Sequence, residues 1–110
     1  AFPSCEAGTQ QGANFSECAN GDTLPTGSYA PNAYGLFDMV GNVWEWTSSL
    51  FWQYPYVSND GRENPADSGL RVLRGGSWYS RSDLLRISNR YEVEEDYSDF
   101  NVGFRCARNP

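Results

Sequence analysis

The sequence contains no histidine. That removes the commonest general base, and with it the His-containing sites that hold zinc, copper or non-haem iron. No apolar run approaches the ~18 residues of a membrane-spanning helix. Positive charge is scarce: Lys plus Arg is 8 against 14 for Asp plus Glu, a formal net charge of −6. Such a balance argues against holding a phosphate backbone through a basic patch. Neither a charged n-region nor an apolar h-region precedes Ala1, so any signal peptide is expected either to have been removed or to have no part in this sequence. Internal repeats, low-complexity tracts and interdomain linkers are missing as well. A chain of 110 residues is then expected to be one domain or part of one.

Aromatic residues and turn formers are abundant: 4 Trp, 7 Tyr and 6 Phe beside 11 Gly and 6 Pro. Together they predict an irregular α+β domain, rich in loops and packed by large rings rather than by long regular elements. Residues 1–33 read as loop. From Leu36 to Leu50 apolar residues cluster without holding either period, and Gly41-Asn42 is a turn signal inside that cluster. Residues 55–69 read as a second loop. Leu70–Arg74 reads as a short strand stopped by Gly75-Gly76. "SRSDLLRISNRY" fits one or two helical turns or an irregular strand. "YEVEEDYSD" is acidic and expected at the surface, and "FNVGFRCAR" reads as a closing strand.

Two features need a chemical explanation. Asp38 and Glu45 sit inside the apolar stretch "YGLFDMVGNVWEW", where an uncompensated carboxylate is costly. Either a hard cation offsets them, or Asp38 caps a short helix while Glu45 takes backbone amides. The pattern is not an EF-hand. The second feature is an odd cysteine count: Cys5 and Cys18 could close a short loop, a bond that persists only in oxidising compartments, which leaves Cys106 over. Arg74, Arg86, Arg90 and Arg105 lie among acids and aromatics, where ion pairing and stacking are their ordinary work. Trp44, Trp46 and Trp78 are expected in the core.

Three blocks occur in order across Pro31–Arg108: "PNAYGLFDMVGNVWEWTSS", "RVLRGGSW" and "NVGFRCAR". In this combination they resemble the formylglycine-generating enzyme family, also called the sulfatase-modifying-factor domain. The resemblance implies a loop-rich variant of the C-type lectin fold. The family domain is usually longer than this chain, and its "WEY"-type helical segment is not found here. Residues 1–110 are therefore expected to be the C-terminal portion of one such domain, with the partner of Cys106 in the remainder.

The resemblance also implies sites. It makes the acidic turn a calcium site, with ligands from the Asp38 side chain, the Gly41 and Val43 carbonyls and the Glu45 carboxylate. A second calcium would use Asn14, the Phe15 carbonyl and Asp22. The family enzymes oxidise a substrate cysteine at two copper-binding cysteines, whose positions fall here on Ser80 and Leu85. Neither supplies a soft ligand. A three-histidine iron site, as in the related sulfoxide synthases, has no residues to form it in this chain. Ser77 lines the substrate groove in those enzymes, so Ser77, Trp78, Ser80, Arg86 and Arg90 are the expected ligand groove.

The resulting expectation is a non-catalytic, calcium-stabilised binding or structural module in an extracytoplasmic assembly. Its partner would be another protein or the rest of its own domain. Two alternatives stand beside it. One is part of an oxidase or sulfoxide synthase whose metal ligands lie in a missing half. The other is a retroelement-diversified lectin-fold binder, varied between "GGSW" and "GFR".

Overall fold

The computed structural model describes residues 3–110; Ala1, on which the signal-peptide expectation rests, lies outside them. Four short strands form one mixed sheet: β1 Trp44–Leu50, β2 Arg71–Arg74, β3 Tyr91–Val93 and β4 Val102–Gly103. Their order is β3-β2-β1-β4. β2 runs antiparallel to both β1 and β3, and β4 runs parallel to β1. The helical content among the described residues is two 3-10 turns, Ser16–Cys18 and Ser82–Leu85. The helical part of the expected α+β class is therefore slight, and loops carry most of the chain. No helix among the described residues is long and apolar enough to cross a membrane.

The strands form where alternation and bulk allow burial on a face. Trp44 in β1, Leu73 in β2 and Val93 in β3 pack together, with Trp46, Tyr97 and Val102 against them. Val72 is buried on the opposite face from Leu73, so β2 is covered on both sides. A second, smaller cluster joins Ala13, Phe15 and Leu85, with Cys18 and Val40 beside it.

Two sequence expectations are corrected by this packing. The run opening "YEVEEDYSD" is not wholly surface: Tyr91–Val93 pairs with β2 and buries Val93, leaving Glu94–Asp96 outside. The closing strand is only Val102–Gly103, because its register against Trp44 and Glu45 ends there and Phe104 stands exposed.

Loops are pinned individually. Cys5 and Cys18 are joined by a disulfide. Glu17 accepts from both the amide and the hydroxyl of Ser82, and the Ser82 amide is the largest cause that holds its carboxyl below the ordinary value. Asn42 fixes three segments: its amide donates to the Asn14 carbonyl, its side chain exchanges hydrogen bonds with Leu24, and its carbonyl accepts from the Trp78 amide. Gly41 must be glycine, since at φ +77 a Cβ would run into the Asn14 carbonyl.

Much apolar surface remains uncovered. Tyr34 is 88% exposed, Ile87 89% and Phe104 76%.

Candidate functional site

The acidic turn is built from left-handed backbone. Asp38, Gly41 and Asn42 all have positive φ, and two of them carry side chains, a strained arrangement that neighbouring structure must hold. Asp38 Oδ2 accepts from the Gly27 amide at 2.8 Å. Glu45 Oε1 accepts from Arg105 Nε at 2.6 Å, and the same guanidinium donates to the Phe37 and Asp38 carbonyls at 2.8 Å each. Each carboxylate keeps one oxygen without a protein donor among the described residues. No side chain and no loop or turn amide among them donates to the Gly41 or Val43 carbonyl. By residue type, two carboxylates and two backbone carbonyls are the kind of oxygen ligand a hard divalent cation takes. Among the described residues no three Asp, Glu, Cys or His side chains converge, so a cation here would depend on those backbone oxygens.

The other expected calcium ligands are tied into local hydrogen bonds. Asn14 Nδ2 donates to the Asp22 carbonyl and to Asn42 Oδ1, while its Oδ1 accepts from Asn20. The Phe15 carbonyl accepts from the Cys18 amide. The Asp22 carboxylate turns back onto its own Thr23 amide. These groups form a structural knot, in which Asp22 keeps one carboxylate oxygen without a protein donor among the described residues.

The expected ligand groove is divided. Ser77 is fully buried and Ser80 nearly so. The Ser77 amide donates to Ser80 Oγ at 3.0 Å, and the two hydroxyls lie 3.2 Å apart. Ser77 Oγ also accepts from the Tyr79 amide and from Asn101 Nδ2. Leu85 is buried against Ala13 and Phe15, with Gly76 pressed onto it. Ser77 and Ser80 are thus sealed rather than lining an open groove. Trp78 lies to one side in a triangle with Tyr79 and Phe100, ring centroids 5.6–5.7 Å apart. Its buried Nε1 has no hydrogen-bond partner among the described residues. Tyr79 and Phe100 are largely exposed.

Arg86 and Arg90 face a different region. A cleft of about 1060 Å³ is lined by Leu36, Met39, Val40, Leu85 and Ile87, with Arg74 and Arg86 on its wall. Tyr54 and Arg74 also line an adjoining cavity of about 110 Å³, reached by Arg62 and Arg90. The Arg90 guanidinium lies 3.9 Å from the Tyr54 ring centroid and 4.5 Å from that of Phe51. Arg62 is buried and forks onto Asp60, with Nη2 2.6 Å from Oδ2, and lies over Trp52 and Tyr56. The Asp60 hydrogen bonds raise the Arg62 pKa, and Arg62 in turn lowers that of Asp60. Ser48, Ser49 and Tyr56 donate to Glu63, and the two serines are the largest causes lowering its pKa.

Tyr54, Asp60 and Arg62 were not among the expected site residues. The Asp60-Gly61-Arg62 spacing was a readable signal, since a turn on glycine brings the two charged groups together. Tyr54 gave none: its partners lie 20 or more residues away.

Comparison with known proteins adds the following. The model of the sulfatase-modifying factor enzyme 1-like domain matches residues 4–110. The serine/threonine-protein kinase pkn1 of Chlamydia pneumoniae is 38% identical over 98% of this chain and 18% of its own length. The inactive C-alpha-formylglycine-generating enzyme 2 of Bos taurus is 42% identical over 76% of this chain and 26% of its own. Among solved structures, Treponema denticola variable protein 1 superposes with a TM-score of 0.68 at 30% identity, covering 84% of this chain and 34% of that one. The chain therefore spans only a minor part of the proteins it matches.

Proposed function

The chain belongs to the sulfatase-modifying factor enzyme 1-like family, and from that premise we propose that it is a non-catalytic binding or structural portion of a larger protein. One observation carries this reading. The positions that resemble the copper-binding pair hold Ser80 and Leu85, and both are used internally, one by the Ser77 amide and one by the Phe15 core. Neither is free or soft enough to hold Cu(I). Relatives carry names of both kinds, formylglycine-generating enzyme and inactive enzyme, so the residues and not the names support the proposal.

Calcium completes it. Asp38, Gly41, Val43 and Glu45 would hold the ion, which would supply fixed positive charge to a strained turn. Arg105 already supplies part of that charge, and the two act on different oxygens. The Cys5–Cys18 disulfide supports an extracytoplasmic setting, periplasmic or secreted. Cys106 is free and exposed within this chain, and we assign its partner to the remainder of the domain. The loop-rich sheet is in keeping with a C-type-lectin-like variant of the family fold.

The test is metal analysis of the purified full-length protein, with turnover of a cysteine-containing peptide. Calcium without copper or iron, and no turnover, is the expected result. Stoichiometric copper or iron would overturn it and favour an oxidase or sulfoxide synthase with ligands elsewhere in the protein. A second reading, a diversified ligand binder, is favoured by the likeness to a protein named variable protein 1 and by the exposed Tyr79 and Phe100 between "GGSW" and "GFR". A near-identical template repeat beside the gene would support it.

A further inference from the structure

We propose that the cleft and its adjoining cavity form one binding site for a small apolar carboxylic acid, its carboxylate held between Arg74 and Arg90 and its body in the cleft. The inference stands whether or not the intact protein is catalytic.

Charge comes first. Three arginines reach the smaller cavity: Arg62, Arg74 and Arg90. Only Arg62 has a carboxylate partner; Arg74 and Arg90 have none among the described residues. In a chain of net charge −6 that is a local surplus with acids plentiful elsewhere.

Both guanidiniums are held in place by groups that leave donors over. Arg74 Nη1 donates to the Ile87 and Asn89 carbonyls at 2.9 and 3.2 Å, and its Nη2 donates to the Tyr54 hydroxyl at 3.1 Å. Arg90 Nη1 donates to the Trp52 carbonyl at 2.6 Å. A guanidinium carries five N–H donors. The Nε of each, and Nη2 of Arg90, therefore have no protein acceptor among the described residues. Tyr54 fixes the pair, since it stacks under Arg90 and accepts from Arg74. Planar, oriented guanidiniums match a carboxylate better than a flexible ammonium would.

The cleft supplies the rest. Its roughly 1060 Å³ lies near the upper end of small-molecule pockets, and its wall is mainly apolar with few polar groups, as such pockets are. Asp38 is the one carboxylate on that wall among the described residues. With that carboxylate committed to the acidic turn, the acid group is placed at the Arg74 end, where the two cavities share Tyr54 and Arg74. Glu63 lies near the smaller cavity, but its charge is met by Ser48, Ser49 and Tyr56.

Calorimetric titration of the full-length protein with octanoate, octanol and acetate tests the idea. Octanoate is expected to bind about tenfold or more tightly than either control, since each lacks one half of the recognition. Arg90→Gln is expected to remove that advantage over octanol without weakening octanol. Arg90→Lys, which keeps the charge, serves if the first variant fails to fold, and is expected to retain part of the advantage. Equal binding of octanoate and octanol by the unaltered protein would overturn the proposal. So would no binding of octanoate, or an advantage that survives Arg90→Gln. None of these readouts depends on copper, calcium or turnover, so failure here leaves the non-catalytic reading intact.

Discussion

Arg105 lies across the acidic turn with its Nε 2.6 Å from Glu45 Oε1, while its two terminal nitrogens hold the Phe37 and Asp38 carbonyls. One side chain from beyond β4 thereby closes a loop some 60 residues earlier in the chain. Arg105 is 38% exposed and Glu45 16%, so solvent weakens the ion pair, yet three acceptors depend on one guanidinium. Arg105→Gln is expected to cost about 1–2 kcal/mol, as an ion pair and two hydrogen bonds to carbonyls are lost together. Chemical denaturation of the variant and of Glu45→Gln would check this. A loss in Glu45→Gln as large as in Arg105→Gln would show that the ion pair, not the carbonyl contacts, holds the turn.

The calcium proposal makes a separate prediction. A ligand that binds only the folded state stabilises it by linkage, about 2.7 kcal/mol at a hundredfold excess over its Kd. Calcium should therefore raise the melting temperature, and a chelator should reverse the rise. Asp38→Asn and Glu45→Gln should abolish the response. Arg105→Gln should keep it, because it removes no oxygen ligand. A melting temperature indifferent to calcium would leave Arg105 as the sole compensation for Glu45.

The parts of this fold that could be read in advance were those governed by local pattern. "RVLR" before two glycines announced β2, and bulk alone placed Trp44 in the core. β3 was hidden because three residues of alternation stand at the head of an acidic run, and only the partner strand shows Val93 turning inward. The two acids at 38 and 45 were recognisable as anomalous, but the compensation by Arg105 was not, since no local rule links positions 60 apart. The groove was foreseen as one surface. The structure separates it because Ser77 and Ser80 satisfy each other, while Arg86 lines the cleft and Arg90 the smaller cavity that adjoins it.

The Asp60–Arg62 pair pins the loop between β1 and β2. Arg62 is buried, bonded to Asp60 through two nitrogens and to the Pro55 carbonyl, with Trp52 and Tyr56 on its faces. Removing one partner of a buried pair leaves a charge without compensation, which is worse than removing both. Asp60→Asn is expected to lower the melting temperature more than the double variant Asp60→Asn, Arg62→Met. The opposite ranking would mean that Arg62 acts through its stacking on the two rings rather than through its charge.

Tyr97 and Asp99 give the surface a pH-dependent contact. The Tyr97 hydroxyl donates to Asp99 Oδ2 at 2.6 Å. That hydrogen bond, more than burial, pushes the Tyr97 pKa up to about 12, and it lowers the Asp99 pKa together with the Phe100 amide. A raised pKa in the folded state means that the contribution is complete below the ordinary tyrosine value of about 10 and fades as pH rises from there towards the folded value. For Asp99 the contribution is present above the ordinary carboxylate range and lost as pH falls through its depressed value. Ultraviolet titration should show Tyr97 ionising last, beyond Tyr56, whose pKa burial and the neighbouring Glu63 also raise, and Tyr97→Phe should remove that last step. Persistence of the step in the variant would assign it to another ring.

Gly41 tests what fixes the acidic turn. Alanine there meets two obstacles, the positive φ of 77° and the Asn14 carbonyl in the path of its Cβ. Gly35 shares the same φ of 77° but has nothing within 4 Å of an added Cβ. Left-handed backbone alone costs a side chain roughly 1–2 kcal/mol, so Gly35→Ala should lose about that much. Gly41→Ala should lose about 2–4 kcal/mol, because overpacking adds to the same strain. The difference isolates the contact between the turn and the Asn14 bridge, and denaturant midpoints of the two variants measure it. Equal losses would mean that the turn holds its shape without Asn14, and that the segment from Asn14 to Leu24 rests on it rather than supporting it.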